Sequence, residues 1–341
     1  MMVTSPQVSV VINNYNYEPY LAEAVDSALA QTYAELEVIV VDDGSTDGSL
    51  ELLRQYGDRI RVVTQKNQGQ AAALNSGFNE STGAWVLFLD ADDTLNADAV
   101  QSLVSIATTL SPEYAAIQFK LCCVDAQSRV ILPKQSNPRS FSDEDPLTSL
   151  LSEGSYFFSP TSGNLFRAES LREVMPVPVE TYKICADLYI QTAIPFVGKI
   201  HFVSQGTLGS YRIHGKNNFV SKEKEELKII LKLQRELRLG SAKRSLIGIL
   251  SKKHGYAVFD FALKPGQSAL LKQLVCKRST GKLEGEIPDR PILVEMLCNV
   301  VKRSRGLKNC MSNIRVCLFG IIISFAPRSQ VGSLYCRMVN V

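Results

Sequence analysis

The run Val38-Ile39-Val40-Val41-Asp42-Asp43-Gly44-Ser45-Thr46-Asp47-Gly48-Ser49 decides the fold. Its opening β-branched residues read as a strand buried on both faces. Two carboxylates stand at the strand end, followed by an Asp-Gly turn and then Ser, Thr and Asp side chains suited to capping a helix. A strand that runs through acids and a tight turn into a helix is one unit of a parallel α/β sheet, where ligands gather beyond the carboxyl ends of the strands.

Outward from this stretch, further β-rich runs stand at 8–12, 60–64 and 85–89. Segments of helical spacing separate them. Leu21, Ala24, Val25, Ala28 and Leu29 predict a helix over about 20–30, and Leu50, Leu52 and Leu53 one that starts after Ser45-Thr46-Asp47. Residues 70–78, led by the loop Asn67-Gln68-Gly69, and 97–110 predict two more. The alternation predicts a parallel sheet with crossover helices. From 114 to 211 the pattern mixes short strands with helices near 143–153 and 187–196, punctuated by Asn137-Pro138 and Pro176-Val177-Pro178. After Lys216 the chain becomes rich in Lys, Leu and Ile, with a helix expected at 223–239 and breaks at Pro265, Pro288 and Pro291.

At 341 residues, 45% hydrophobic and 21% charged, the chain is long enough for a large core and a second subdomain, which argues against disorder. Its eight cysteines contain no CxxC pair, and Cys122 and Cys123 are adjacent, a poor disulfide framework; reduced thiols in a cytoplasmic protein are expected. No charged and apolar leader pattern precedes 8–12, so secretion is not expected. The apolar run 316–326 is shorter than the roughly 20 residues of a spanning helix, and Ser324 interrupts it. The net charge of +3 divides unevenly: −12 up to Gly215 and +15 from Lys216 onward. A basic C-terminal third suits anionic lipid or a phosphorylated acceptor, and equally a solvated helical surface.

Two acidic motifs carry the chemistry. Asp42 and Asp43 can accept the imide N–H of uracil or a ribose hydroxyl, or can simply organise the turn. Phe88-Leu89-Asp90-Ala91-Asp92-Asp93 sets three acids directly after a buried strand. Such a cluster repels itself without a cation, and hard Mg²⁺ or Mn²⁺ would bind it together with substrate phosphates. The plainer alternative is an acidic loop in which Asp92 or Asp93 caps the next helix.

Val8-Ser9-Val10-Val11-Ile12-Asn13-Asn14-Tyr15-Asn16, taken with the two acid motifs and their spacing, resembles glycosyltransferase family 2. The resemblance is close over about 6–100, extends to about 218 and includes Asp26-Ser27-Ala28-Leu29-Ala30-Gln31-Thr32-Tyr33. It implies a GT-A fold: a Rossmann-like α/β mixed sheet with flanking helices, here followed by a C-terminal helical extension. The implied division is a nucleotide-sugar-binding half at 1–110, an acceptor-binding half at 111–218 and a basic helical extension at 219–341.

The resemblance also implies roles for individual residues. Asn13, Tyr15, Asp42, Asp43, Asn67 and Gly69 would surround the nucleoside, and Asp90-Ala91-Asp92 would be the DxD segment that meets the donor. Asp92 would ligate Mn²⁺ or Mg²⁺, while His214 of Tyr211-Arg212-Ile213-His214 would be a second ligand or a diphosphate contact, with Arg212 assisting. Asp187, in Ala186-Asp187-Leu188-Tyr189-Ile190, matches the base that takes the acceptor proton, although Ala186 replaces the usual Glu. Ser162-Gly163-Asn164-Leu165-Phe166-Arg167 resembles the acceptor-side segment. Two departures stand out, Asn13 for a usual Pro and Gln70 where a basic residue is common. Purely structural readings stay open for Asp187, as a charge at a helix N-terminus, and for His214.

The expected activity is inverting, metal-dependent transfer of a sugar from a UDP-sugar to a hydroxyl of a carbohydrate or lipid-linked glycan, in the making of surface polysaccharide. Peripheral contact with the inner face of an anionic membrane through the basic third is expected as well. An inactive carbohydrate-binding scaffold is the alternative that Ala186 and Gln70 suggest. A nucleotidyltransferase would need a Gly-rich, basic phosphate loop where Asn13-Asn14-Tyr15-Asn16 stands, and no motif supports nucleic-acid binding.

Overall fold

The computed structural model describes residues 5–132, 145–153, 156, 158–214, 245–247, 249–251 and 253–255. The chain divides into two compact units, one of 1–150, 155–218 and 246–256, the other of 151–154, 219–245 and 257–341. Apart from 151–153 and 245, every described residue belongs to the first. The helix expected at 223–239, the run at 316–326 and most of the 219–341 extension lie outside the described residues, as does the punctuation at Asn137-Pro138.

Strand β1, Val8–Asn14, leads into helix α1, Glu18–Leu29; β2, Leu36–Asp42, into α2, Ser49–Arg54; and β3, Arg61–Thr64, into α3, Gln70–Glu80. Then come β4, Trp85–Asp90, the short β5, Thr94–Leu95, and α4, Ala99–Ala107. After α4 come β6, Tyr114–Gln118; β7, Cys122–Asp125; β8, Val130–Leu132; α5, Pro146–Glu153; β9, Asn164–Arg167; α6, Ala168–Val174; α7, Val179–Tyr182; α8, Ala186–Ala193; β10, Lys199–Phe202; and β11, Gly209–Ile213.

Seven strands form the main sheet, in the order β10-β6-β9-β4-β1-β2-β3. The parallel pairing expected for the first four strands is present: β1 pairs in parallel with both β2 and β4, and β2 with β3. β9 runs antiparallel between β4 and β6, which makes the sheet mixed. A second sheet of short strands has the order β5-β11-β7-β8.

Both faces of the central strands are covered, which is why they read as continuous apolar runs rather than alternating ones. On one face Val8, Val10, Ile12, Val38, Val40, Leu87 and Leu89 join the core with Leu21, Ala24, Val25 and Ala28 of α1 and Val100 and Leu103 of α4. The α1 residues recur at i, i+3, i+4 and i+7, the stripe a helix needs to lie on a sheet. Full burial of a Leu or Val side chain stabilises by roughly 1.5–3 kcal/mol. On the other face α3 approaches so closely that a side chain at Gly77 would collide with Val11 and Val41. No helix among the described residues is long and apolar enough to cross a membrane.

Candidate active site

Strand register brings the acids together. Asn13 of β1 stands opposite Asp90 of β4, and Asn14 opposite Asp42 of β2, so both acidic motifs emerge side by side at one edge of the sheet.

Asp42 has no accessible surface. One of its oxygens accepts the Asn14 amide at 2.8 Å and the other the Ser45 N–H at 2.9 Å. This carboxylate shapes the loop from behind. Asp43 is also enclosed, accepting the Gln65 side chain at 2.7 Å and the N–H groups of Gln68 at 2.9 Å and Gly69 at 2.6 Å. It fixes the 67–69 loop, leaving Asn67 exposed. Gly69 adopts φ +90°, and a side chain there would strike the Lys183 carbonyl, so glycine is required twice over.

The expected helix cap at Ser45-Thr46-Asp47 also differs. Ser45 Oγ accepts the Asn14 amide and the Asn16 N–H, and Asn16 Oδ1 accepts the Thr46 N–H, which ties these residues to the β1–α1 loop. Asp47 alone reaches the helix, accepting the Ser49 N–H at 3.0 Å, and α2 starts at Ser49. Tyr15 projects nearby and is 43% exposed, an aromatic face open to a ligand.

The second motif sits in a web of donors. Asp90 accepts Asn13 Nδ2 at 3.0 Å and Gln70 Nε2 at 3.1 Å, and its N–H donates to Ser162 Oγ at 3.1 Å. Asn13 Oδ1 is buried and has no hydrogen-bond partner among the described residues. Asp93 accepts the Ser162 hydroxyl at 2.6 Å and the Arg212 N–H at 2.9 Å. The structure thus gives Asp93 a bracing role instead of a helix cap, because β5 intervenes before α4. Ala91 is buried and serves as the spacer between Asp90 and Asp92.

Asp92 faces His214, with Oδ2 and Nε2 2.9 Å apart. The antiparallel pairing of β5 with β11, Ser210 opposite Thr94 and Gly209 opposite Leu95, carries His214 to the acids. Tyr20 stacks on the imidazole at 4.7 Å between centroids, and Tyr17 meets its edge at 5.6 Å. Arg212 is 1% exposed. Its guanidinium donates to the Asp92 carbonyl at 2.8 Å, Ser128 Oγ at 2.8 Å and Glu23 at 2.6 Å.

Burial, then the Asp92 charge, push Asp90 up to about 7, against hydrogen bonds from Asn13 and Thr161; Asp187 adds to the rise. Burial, with Asp92 and Asp90, also holds Asp93 well above the usual carboxylate range. Burial and then Asp93, Asp90, Asp92 and Asp187 raise the Tyr211 phenol. Negative charge is concentrated here, and a divalent cation would relieve it.

Among the described residues, no three His, Cys, Asp or Glu side chains are grouped to hold a metal ion unaided. The Asp92–His214 pair nonetheless fits one: adjacent corners of an octahedron with bonds of about 2.1 Å lie about 3.0 Å apart, close to the 2.9 Å between these atoms.

Asp187 stands in the first turn of α8, where its Oδ1 accepts the Leu188 N–H at 2.9 Å. Ala186 is fully buried, a place where a carboxylate would be desolvated. Just before it, Cys185 adopts φ +75°. The N–H groups of Cys185 and Ala186 donate to Gln70 Oε1 at 3.2 and 3.1 Å. Gln70, Glu23 and Tyr20 are the site residues that the sequence reading did not assign, and the unusual Gln70 was the one available signal.

A mixed α/β sheet with acidic strand ends and flanking helices is a GT-A type fold. The model of the family described as "Glycosyl transferase family 2" matches residues 9–174. An uncharacterized glycosyltransferase of Nostoc sp. (strain PCC 7120) is 37% identical over 219 residues, 63% of this chain and 67% of that protein. Glycosyltransferase GlyA of Streptococcus pneumoniae is 39% identical over 105 residues, 30% of this chain and 15% of that one. Among solved structures, S. aureus TarS 1–349 in complex with UDP superposes with a TM-score of 0.53 at 19% identity, covering 97% of this chain and 91% of that one. The chain belongs to glycosyltransferase family 2 and is a glycosyltransferase.

Proposed function

We propose that the enzyme transfers a sugar from a UDP-sugar to an acceptor hydroxyl by a single displacement with inversion, with Asp187 as the general base. The observation that carries this reading is the convergence, beyond the end of β4, of Asp90, Asp92, His214 and, joined to Asp90 through Gln70, the α8 turn bearing Asp187.

Asp187 takes the proton of the attacking hydroxyl, a carboxylate task that contributes about 10²–10⁴-fold in comparable enzymes. Asp92 and His214 would hold Mn²⁺ or Mg²⁺. The ion, when bound, supplies positive charge to the departing nucleotide diphosphate. Tyr15, the backbone near Asn13 and the 67–69 loop, fixed by Asp43, receive the nucleoside. Asn13 Oδ1, buried and without a partner among the described residues, is an acceptor suited to a ligand hydroxyl or N–H. The UDP assignment is supported by the fold shared with TarS, whose structure contains UDP. We assign 1–110 to the donor, 111–218 to the acceptor, and the basic 219–341 segment to docking on anionic membrane near a glycan acceptor of surface polysaccharide synthesis.

The test is turnover of a panel of nucleotide-sugars with and without Mn²⁺, on wild type, Asp92→Ala and Asp187→Asn. Metal-dependent turnover of one UDP-sugar, lost in both variants, is the expected result. Turnover of no nucleotide-sugar under any condition, with UDP unbound, overturns the reading.

A further inference from the structure

The Gln70 side chain joins the two halves of the site. Its Oε1 accepts the N–H groups of Cys185 and Ala186, at 3.2 and 3.1 Å, and its Nε2 donates to Asp90 Oδ1 at 3.1 Å and reaches Thr161 Oγ1 at 3.5 Å. A carboxamide has two lone pairs on oxygen and two hydrogens on nitrogen, and all four are engaged. Its orientation is fixed chemically, since two backbone N–H groups face one end and a carboxylate the other.

No other side chain of this length does both tasks. Glu would accept from Cys185 and Ala186 but set a second carboxylate against Asp90. Lys or Arg would pair with Asp90 and leave both N–H groups without an acceptor, and Asn is one methylene shorter. Cys185 adds a physical need for the contact: its left-handed φ of +75° is unfavourable for a residue with a Cβ, and Gln70 binds that residue's own N–H. The bridge thus holds α8 in register with the strand end of Asp90.

We propose that Gln70 is a positioning residue that sets the separation between the donor-side carboxylate of Asp90 and the first turn of α8, and with it Asp187. As applied to catalysis, this rests on the reading of Asp187 as base. The bridge itself does not.

Hydrogen exchange and turnover on the full chain test it, with UDP plus Mn²⁺ as the binding probe and UDP-sugars as donors. In wild type, UDP plus Mn²⁺ is expected to slow exchange in a peptide covering 185–190. In Gln70→Met, exchange there is expected to be fast and insensitive to UDP plus Mn²⁺. Turnover by that variant falls about 10- to 100-fold, as misplacement of a reacting group by an ångström does, while KM for the donor stays within about threefold.

Gln70→Glu keeps both acceptors and loses only the donation to Asp90. Its 185–190 amides should exchange as in wild type without ligand, yet respond no longer to UDP plus Mn²⁺. Protection by the ligand that persists unchanged in both variants overturns the bridge, as does a rise in KM with kcat intact. If Asp187→Asn turns over like wild type, the base reading falls, and the exchange result still decides Gln70.

Discussion

Nε2 of His214 lies 2.9 Å from Oδ2 of Asp92 across a separation of 122 residues. The histidine ends the strand that pairs with β5, which directly follows the acidic motif. Tyr17 and Tyr20 hold the ring, and Arg212 holds the backbone of Asp92. Both side chains are thereby held in place, which would lower the ordering cost of binding an ion between them.

His214→Ala should raise the Mn²⁺ concentration for half-maximal turnover by about 10-fold or more, a scale typical of disturbed metal coordination. Donor KM at saturating Mn²⁺ should change little. A metal titration of initial rates reads this directly, and identical curves for variant and wild type would remove His214 from the site.

Asp187→Asn keeps the size and the helix position but cannot take a proton at neutral pH. A loss of at least about 100-fold in kcat is expected from removal of a general base, with UDP affinity preserved. Calorimetry with UDP and Mn²⁺ supplies the second half of the comparison; a variant that loses UDP binding instead would assign Asp187 to the donor.

Arg212→Met should be costly to the fold. It leaves the Asp92 carbonyl and Ser128 Oγ without the guanidinium donor and Glu23 without its cation, keeping among the described residues only the Ser128 hydroxyl, in a place where the guanidinium is 1% exposed. A loss of about 2–4 kcal/mol follows from breaking a buried, hydrogen-bonded charge. Glu23 is half-exposed, so Glu23→Gln should cost less than about 1 kcal/mol. Urea unfolding midpoints would show whether the two differ in this order.

Glu37 links stability to acid. Burial pushes its carboxyl up, but hydrogen bonds from Ser9, from the N–H and hydroxyl of Thr82 and from Gly83 together hold it below the ordinary value. A depressed folded value means stabilisation that is complete above the unfolded value of about 4.3 and lost as pH falls through the folded one. The gap in unfolding midpoint between wild type and Glu37→Gln should therefore be constant near neutrality and close as pH drops below about 4.3. A gap that widens in acid contradicts the assignment.

The sequence by itself determined the strands ending in acids, the parallel direction of the first four, the stripe on α1 and the family. Each is written in a short window, because backbone propensity and apolar period are local properties. Even there, local signals misassigned the capping side chains: α2 starts after Ser45-Thr46-Asp47 as expected, but Ser45 and Thr46 are engaged by Asn14 of β1 and Asn16 of the loop after it.

Only the tertiary structure decided that β9 enters antiparallel between β4 and β6, that Asp42 is sealed behind the loop, and that Gln70 is a bridge and not a missing base. Gln70 and Ala186 stand 116 positions apart. Whether two such side chains meet depends on how strands are ordered and registered, and no local pattern of hydrophobicity or capping records that order, because it is set by the packing of the whole sheet.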